Sequence, residues 1–306
     1  MLWRMADDVL QPLQRYAAQL RASLGTAPAA PNFKRETGTS MQVGRAAILA
    51  QAVSGGPTTA AAGLVDRPLE LASSVLHRDL SFIDDAGHSR AAYRPAFVYA
   101  LLQTYKLWYE SLSPGDFGRW EEALRVWADL LEDDLGSTTW PGTVLPASAG
   151  DRWAEMAWDA LALHVAGKIF VRDAWTDLAS DTFGRLTRAQ QASGAFLTAT
   201  ASDQPETMWY HELQILHAAA SFAVQAEDRN TAAAVARAGV FHQNETQPDH
   251  ATTQPWGLFA FIWNPETRML ADQVLHAAAL QQPGAIDGLS LMLLADSLYC
   301  LKLFEG

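Results

Sequence analysis

Apolar residues recur at helical spacing along most of this chain. Phe97, Leu101, Tyr105 and Trp108 fall at i, i+4, i+8 and i+11, and Trp120, Leu124, Trp127 and Leu131 repeat the pattern. That spacing puts four large side chains on one face of a helix. Between the two runs lies Ser-Pro-Gly-Asp, 113–116, which predicts a tight turn followed by a capping acid. Two amphipathic helices joined so closely form an antiparallel hairpin. Alternation of period two with β-branched residues is almost absent, so few strands are expected. Carried along the chain, the pattern predicts about twelve helices, near 2–23, 40–53, 64–77, 95–112, 117–135, 151–166, 171–191, 207–226, 230–240, 254–264, 267–281 and 286–303.

The connections alternate in length. Short ones fall near Ser113, Gly167, Asp228 and Pro265, and long ones near 78–94, 136–150, 192–206 and 241–253. Hairpins packed side by side bring every long connection to one rim. The dipeptide Leu-His recurs at 76–77, 163–164, 216–217 and 275–276, the last two within Leu-His-Ala-Ala-Ala. These last two lie 59 residues apart, about the length of a helix pair with its connections. No polar capping repeat ends the array, as an open stack of helix pairs would need. The expected fold is therefore all-α, an α/α toroid of about six helical hairpins closed into a ring, forming one domain over 1–306. The polar, Pro-containing stretch 24–40 reads as a loop and is expected to be mobile.

This layout resembles the six-hairpin α/α toroids, a superfold shared by many glycoside hydrolases, polysaccharide lyases and terpenoid cyclases. Gln190, Gly194 and Phe196 spell Q-x-x-x-G-x-F. The phrase is similar to the Q-x(n)-G-x-W repeat of triterpene cyclases and to one that opens loops in carbohydrate-active toroids. No specific family is identified over the full length, and a toroid does not dictate chemistry.

Composition narrows the classes. With 49% hydrophobic residues the chain has ample material for a large core. Its net charge of −12 and scattered Lys and Arg argue against a nucleic-acid partner. The single cysteine, Cys300, sits in an apolar run and reads as a buried small residue, so neither a disulfide within the chain nor a multi-Cys zinc site is expected. Asp7 and Asp8 interrupt the segment where a signal peptide needs an apolar core. No apolar stretch reaches the roughly 20 residues of a membrane span. A soluble, cytoplasmic protein without a membrane partner is the expectation.

The densest chemistry lies in 241–257, Phe-His-Gln-Asn-Glu-Thr-Gln-Pro-Asp-His-Ala-Thr-Thr-Gln-Pro-Trp-Gly. On a long-connection rim, His242, Glu245, Asp249 and His250 offer acids and bases. Asn244 and Gln254 offer amides for hydroxyl groups, and Trp256 offers a flat face for a sugar ring. A second cluster is Trp209, Tyr210, His211 and Glu212, at the start of a helix after the connection 192–206. Resemblance to toroid lyases implies that Tyr210 or His211 abstracts and returns protons while Asn244 or Glu245 neutralises the uronate carboxylate, with Arg90 or Arg94 as the additional Arg such lyases supply. For hydrolysis Glu212 and Glu245 are the acid and base candidates. His211 does not open a metalloprotease helix, because Ile215 stands where the second His belongs. His164, His217 and His276 read as core histidines. No cofactor is expected. A zinc-type set would be His211, His242 and His250 with Glu245 or Asp249, but the spacing from His242 to His250 matches no metal signature.

The leading expectation is thus a carbohydrate-active enzyme, a lyase or hydrolase, taking a small-molecule or oligosaccharide substrate in a polar cleft on the long-connection rim. Two alternatives stand beside it. One is a non-catalytic helical scaffold binding a peptide or partner protein. The other is a terpenoid-cyclase-like or isomerase enzyme with an apolar cavity, although the D-x-D-D acid motif of protonating cyclases is absent.

Overall fold

The structure is a computed structural model and describes residues 93–108, 114–200, 203–279 and 288–305. The three helices expected before residue 78, the 24–40 loop and Arg90 lie outside these residues. The described residues are 79% helical, which makes the protein all-α. The helices are α1 (Tyr93–Trp108), α2 (Pro114–Ser137), α3 (Gly150–Phe170), α4 (Asp173–Ala189), α5 (Pro205–Gln225), α6 (Arg229–Glu245), the single turn α7 (Pro248–Ala251), α8 (Leu258–Trp263), α9 (Arg268–Ala279) and α10 (Gly288–Glu305).

The sequence sorts these helices into two kinds. Helix α3 is buried on nearly every side from Trp153 to Gly167, as a helix so largely apolar must be, and it takes Asp159 and His164 in with it. Its partner α4 buries Trp175, Ala179, Phe183 and Leu186, again at i, i+4, i+8 and i+11, and leaves its charged face to solvent. Helices α5 and α6 repeat the arrangement. The inner helices α1, α3 and α5 pack in succession, as do the outer helices α2, α4 and α6. Helices α8 and α10 both pack on α5. The interior is aromatic: Tyr99, Trp158, Phe222, Trp256 and Phe261 are inaccessible to water.

Chain reversals between inner and outer helices are built alike. Val171 and Glu227 take the left-handed conformation, at φ 53° and 54°. The following amides reach back five residues, Arg172 N–H to the Gly167 carbonyl at 3.0 Å and Asp228 N–H to the Ala223 carbonyl at 2.9 Å. This closes the exposed carbonyls of each inner helix without the usual glycine. Asp228 then caps α6 by accepting from the amides of Asn230 and Thr231.

The longer connections carry the only strands among the described residues, β1 (Leu145–Pro146) and β2 (Leu197–Thr198). They pair in parallel, Leu145 opposite Leu197. Gln190, Gly194 and Phe196 build the second of these connections. The Gln190 amide donates to the carbonyls of Gly194 and Ala234, both at 2.8 Å, and its oxygen accepts from Arg237 Nε at 2.9 Å. The clasp holds the chain leaving α4 against α6. Gly194 has φ 100°, and a Cβ there would lie 2.4 Å from the Arg237 carbonyl oxygen.

Two boundaries differ from the expectation. Helix α6 continues through Glu245, and Pro248 starts another helical turn, so 241–253 is not one long irregular loop. Polar residues on the outer face of an outer helix meet no penalty, so polarity there does not mark a helix end. Pro114, Gly115 and Asp116 are not a turn and cap before a helix either: Pro114 is already the first residue of α2, where its missing N–H is harmless.

Candidate functional site

The first turns of α5 hold the second sequence cluster. Trp209, Tyr210 and His211 are half-buried, whereas Glu212 is fully buried. Glu212 points inward to β2: one carboxyl oxygen accepts the Phe196 amide at 3.0 Å and the other the Leu197 amide at 2.6 Å. Burial pushes this carboxyl up to about 8, against the pull of the two amides. Its contacts make it a fastener of the connection rather than a rim acid. His211 lies on the start of α3, so close that a Cβ on Gly150 would come within 2.4 Å of its Nδ1. That nitrogen is buried with no partner among the described residues. Burial lowers the His211 pKa, and nearby Asp151 only partly opposes it. The Tyr210 ring centre is 5.8 Å from that of His211 and 6.3 Å from that of Trp256, which it meets edge-on.

The 241–257 residues divide between core and solvent. His242 is fully buried, its Nδ1 2.8 Å from the Thr246 hydroxyl and its ring edge-on to Phe261. Desolvation lowers its pKa to about 3. Trp256 is also fully buried, and its indole N–H donates to the Gln254 side chain at 3.0 Å. In this arrangement it faces Trp158 and His217, not a ligand. Asn244 and Glu245 are exposed on the last turn of α6, and Asp249 and His250 on α7. Arg94 stands in the first turn of α1. Helix α7 packs on α5, which brings this stretch beside the α5 cluster. The structure thus gathers Tyr210, His211 and Trp256 and leaves Glu245, Asp249 and His250 in water. His276, expected in the core, is exposed on α9, while His164 and His217 are buried.

Deeper in, a polar cluster joins four helices. Asp296 of α10 accepts from the Tyr99 hydroxyl of α1 at 2.7 Å, from Ser221 of α5, and from His217 Nε2 of α5 at 3.3 Å. The Gly257 amide, which begins α8, donates to His217 Nδ1 at 3.2 Å. Nδ1 is therefore the acceptor, and the ring proton sits on Nε2, facing the carboxylate. The Cys300 thiol is 3.5 Å from the Ser221 hydroxyl, and Trp158 stacks on the imidazole at 5.4 Å. Both His nitrogens are occupied, one by Asp296 and one by a backbone amide. The cluster thus lacks the nucleophile–base contact of a hydrolytic triad. Sequence reasoning did not find it, because His217 and Asp296 are 79 positions apart and each sits in an apolar run.

No family model matches the chain, and no curated protein or solved structure matches it. Among the described residues no group of three His, Cys, Asp or Glu side chains is placed to hold a metal ion, and no helix is long and apolar enough to cross a membrane.

Proposed function

We propose that the chain closes into an α/α toroid and acts on a uronate-containing saccharide by elimination, with Tyr210 and His211 at the reacting centre. Closure is supported by contacts between the ends of the described chain: Tyr99 bonds Asp296 across 197 positions, and Lys106 reaches Tyr299 across 193. An open solenoid keeps its ends apart. The chemical reading rests on one observation, an imidazole beside a phenol, both half-buried at the start of α5. Elimination needs a base to take the proton α to the carboxylate. The electrons of that C–H bond form the double bond, and the leaving glycosidic oxygen takes a proton. The His211 imidazole, its pKa lowered by burial, is suited to the first role and the Tyr210 hydroxyl to the second. Hydrolysis by Glu212 and Glu245 is less well supported, since one acid is locked to two amides and the other is exposed.

The test is incubation with a panel of polyuronides, read by the ultraviolet absorbance of the unsaturated product. Tyr210→Phe and His211→Ala should each lower the rate by about 100-fold or more. Absence of product from the wild type across the panel would sink the reading. The exposure of Glu245, Asp249 and His250 favours a second one, in which this rim binds a peptide or partner protein without catalysis. A partner captured by the wild type and lost on Glu245→Ala with His250→Ala would then be expected.

A further inference from the structure

A cleft of about 400 Å³ opens at the C-terminal end of α5. It lies about 20 Å along that helix from His211, given a rise of about 1.5 Å per residue. The cleft is thus separate from the proposed elimination site and does not depend on it. One wall is apolar. Trp263, at the end of α8, is backed by Phe259 in a parallel stack at 5.8 Å and flanked edge-on by Phe304 at 5.7 Å. Leu303 and Phe304 of α10 line the same wall and are 43% and 39% exposed, although α10 offers polar positions elsewhere. Gln225 also lines the cleft. Its amide donates to the Tyr99 hydroxyl at 2.8 Å and its oxygen accepts from Gln103 at 2.6 Å, so this surface is fixed before any ligand arrives.

Charged residues line the cleft as well: Lys106, Arg229, Glu227 and Asp228. The Asp228 carboxylate is turned to the start of α6, where it accepts two amides at 2.8 Å each. The Lys106 ammonium is held at the cleft by the Tyr299 hydroxyl, 3.4 Å away. Lys106 and Arg229 stand in the lining with the apolar residues, and Glu227 and Asp228 are their counter-charges there. The volume is that of a small-molecule site. The apolar wall accepts a hydrocarbon body, and Lys106 with Arg229 accepts an anionic head. Glu227 lines the same cleft and disfavours a second negative charge on that head.

The geometry points to a binding site for a small amphipathic monocarboxylate, its apolar body on Trp263, Leu303 and Phe304 and its carboxylate between Lys106 and Arg229. Isothermal titration of the full chain with decanoate, decylammonium and decyl glucoside, each below its micelle concentration, tests this. Decanoate should bind saturably at one per chain, with the other two at least about tenfold weaker. Lys106→Gln and Phe304→Ser alter exposed side chains, so the fold should persist, as circular dichroism would verify. Each should weaken decanoate by about tenfold or more. No saturable decanoate binding overturns the assignment. So does equal binding of the glucoside or the amine, or an unchanged affinity in both variants.

Discussion

His242 is held out of water with one ring nitrogen on Thr246 and the other, Nε2, without a partner among the described residues. Its folded pKa of about 3 lies below the 6.5 of a free histidine. The unfolded chain therefore binds a proton that the folded chain refuses, and stability is lost as the pH falls from 6.5 toward 3. Relative to His242→Phe, which cannot titrate, the wild type should lose on the order of 2 kcal/mol between pH 7 and pH 5. Urea unfolding of both proteins at the two pH values measures it. Glu212 runs the other way. Its folded pKa is raised from 4.5 to about 8, so its contribution is complete below 4.5 and is lost as the pH rises through 8. Measured against Glu212→Gln, the wild type should weaken steadily from pH 5 to pH 8, and a flat difference would refute the shift. Some of this was legible in the sequence. His217 reads as a core residue from its apolar neighbours, and it is one. That it holds Asp296 is not legible, since nothing in a local window links α5 to α10. Glu212 reads as a rim acid because it follows two polar-edged aromatics; only β2, folding back over α5, reveals its burial.

At the level of elements, the helices were the most legible part. Apolar residues at i, i+4, i+8 and i+11 mark α1, α2 and α4 alike, and the structure buries those of α4. Less legible were the caps. Val171 and Glu227 terminate helices in a conformation where sequence reasoning looks for glycine or asparagine. A β-branched residue in the left-handed region is strained by about 1 kcal/mol or more. Val171 is also 86% exposed, so it buries little apolar surface in return. Val171→Gly should therefore raise stability by about 1 kcal/mol, seen as a higher urea midpoint with an unchanged slope. Gly194 is the converse case. At φ 100°, with the Arg237 carbonyl 2.4 Å from where a Cβ would stand, Gly194→Ala must move α6 or open the Gln190 clasp. A loss of about 2–3 kcal/mol is expected, close to the upper end for backbone strain. Q-x-x-x-G-x-F thus belongs to the scaffold: each of its three residues fastens a connection, and none faces a site.

For the molecule as a whole, the cluster at Asp296 decides how the protein comes apart. Its carboxylate gathers donors from α1 and α5 onto α10, and His217 extends it to the start of α8. A buried carboxylate is costly unless its oxygens are satisfied, and removing it strands its donors instead. Asp296→Ala would leave the Tyr99 and Ser221 hydroxyls and the His217 Nε2 proton without this acceptor. A loss of about 3–5 kcal/mol is expected, as for the breaking of other buried charged contacts. The form of the transition says more than its size. In a stack of hairpins held only by nearest neighbours, damage at α10 frays one end and leaves α3 and α4 intact, so different probes melt apart. In a ring, α10 supports α1, which supports α3. Helicity and the fluorescence of the buried tryptophans should then be lost together in both wild type and variant, in one transition shifted to lower urea. Two separated transitions in the Asp296→Ala protein would mean that the contact between α1 and α10 does not close a ring, and the toroid would have to be given up.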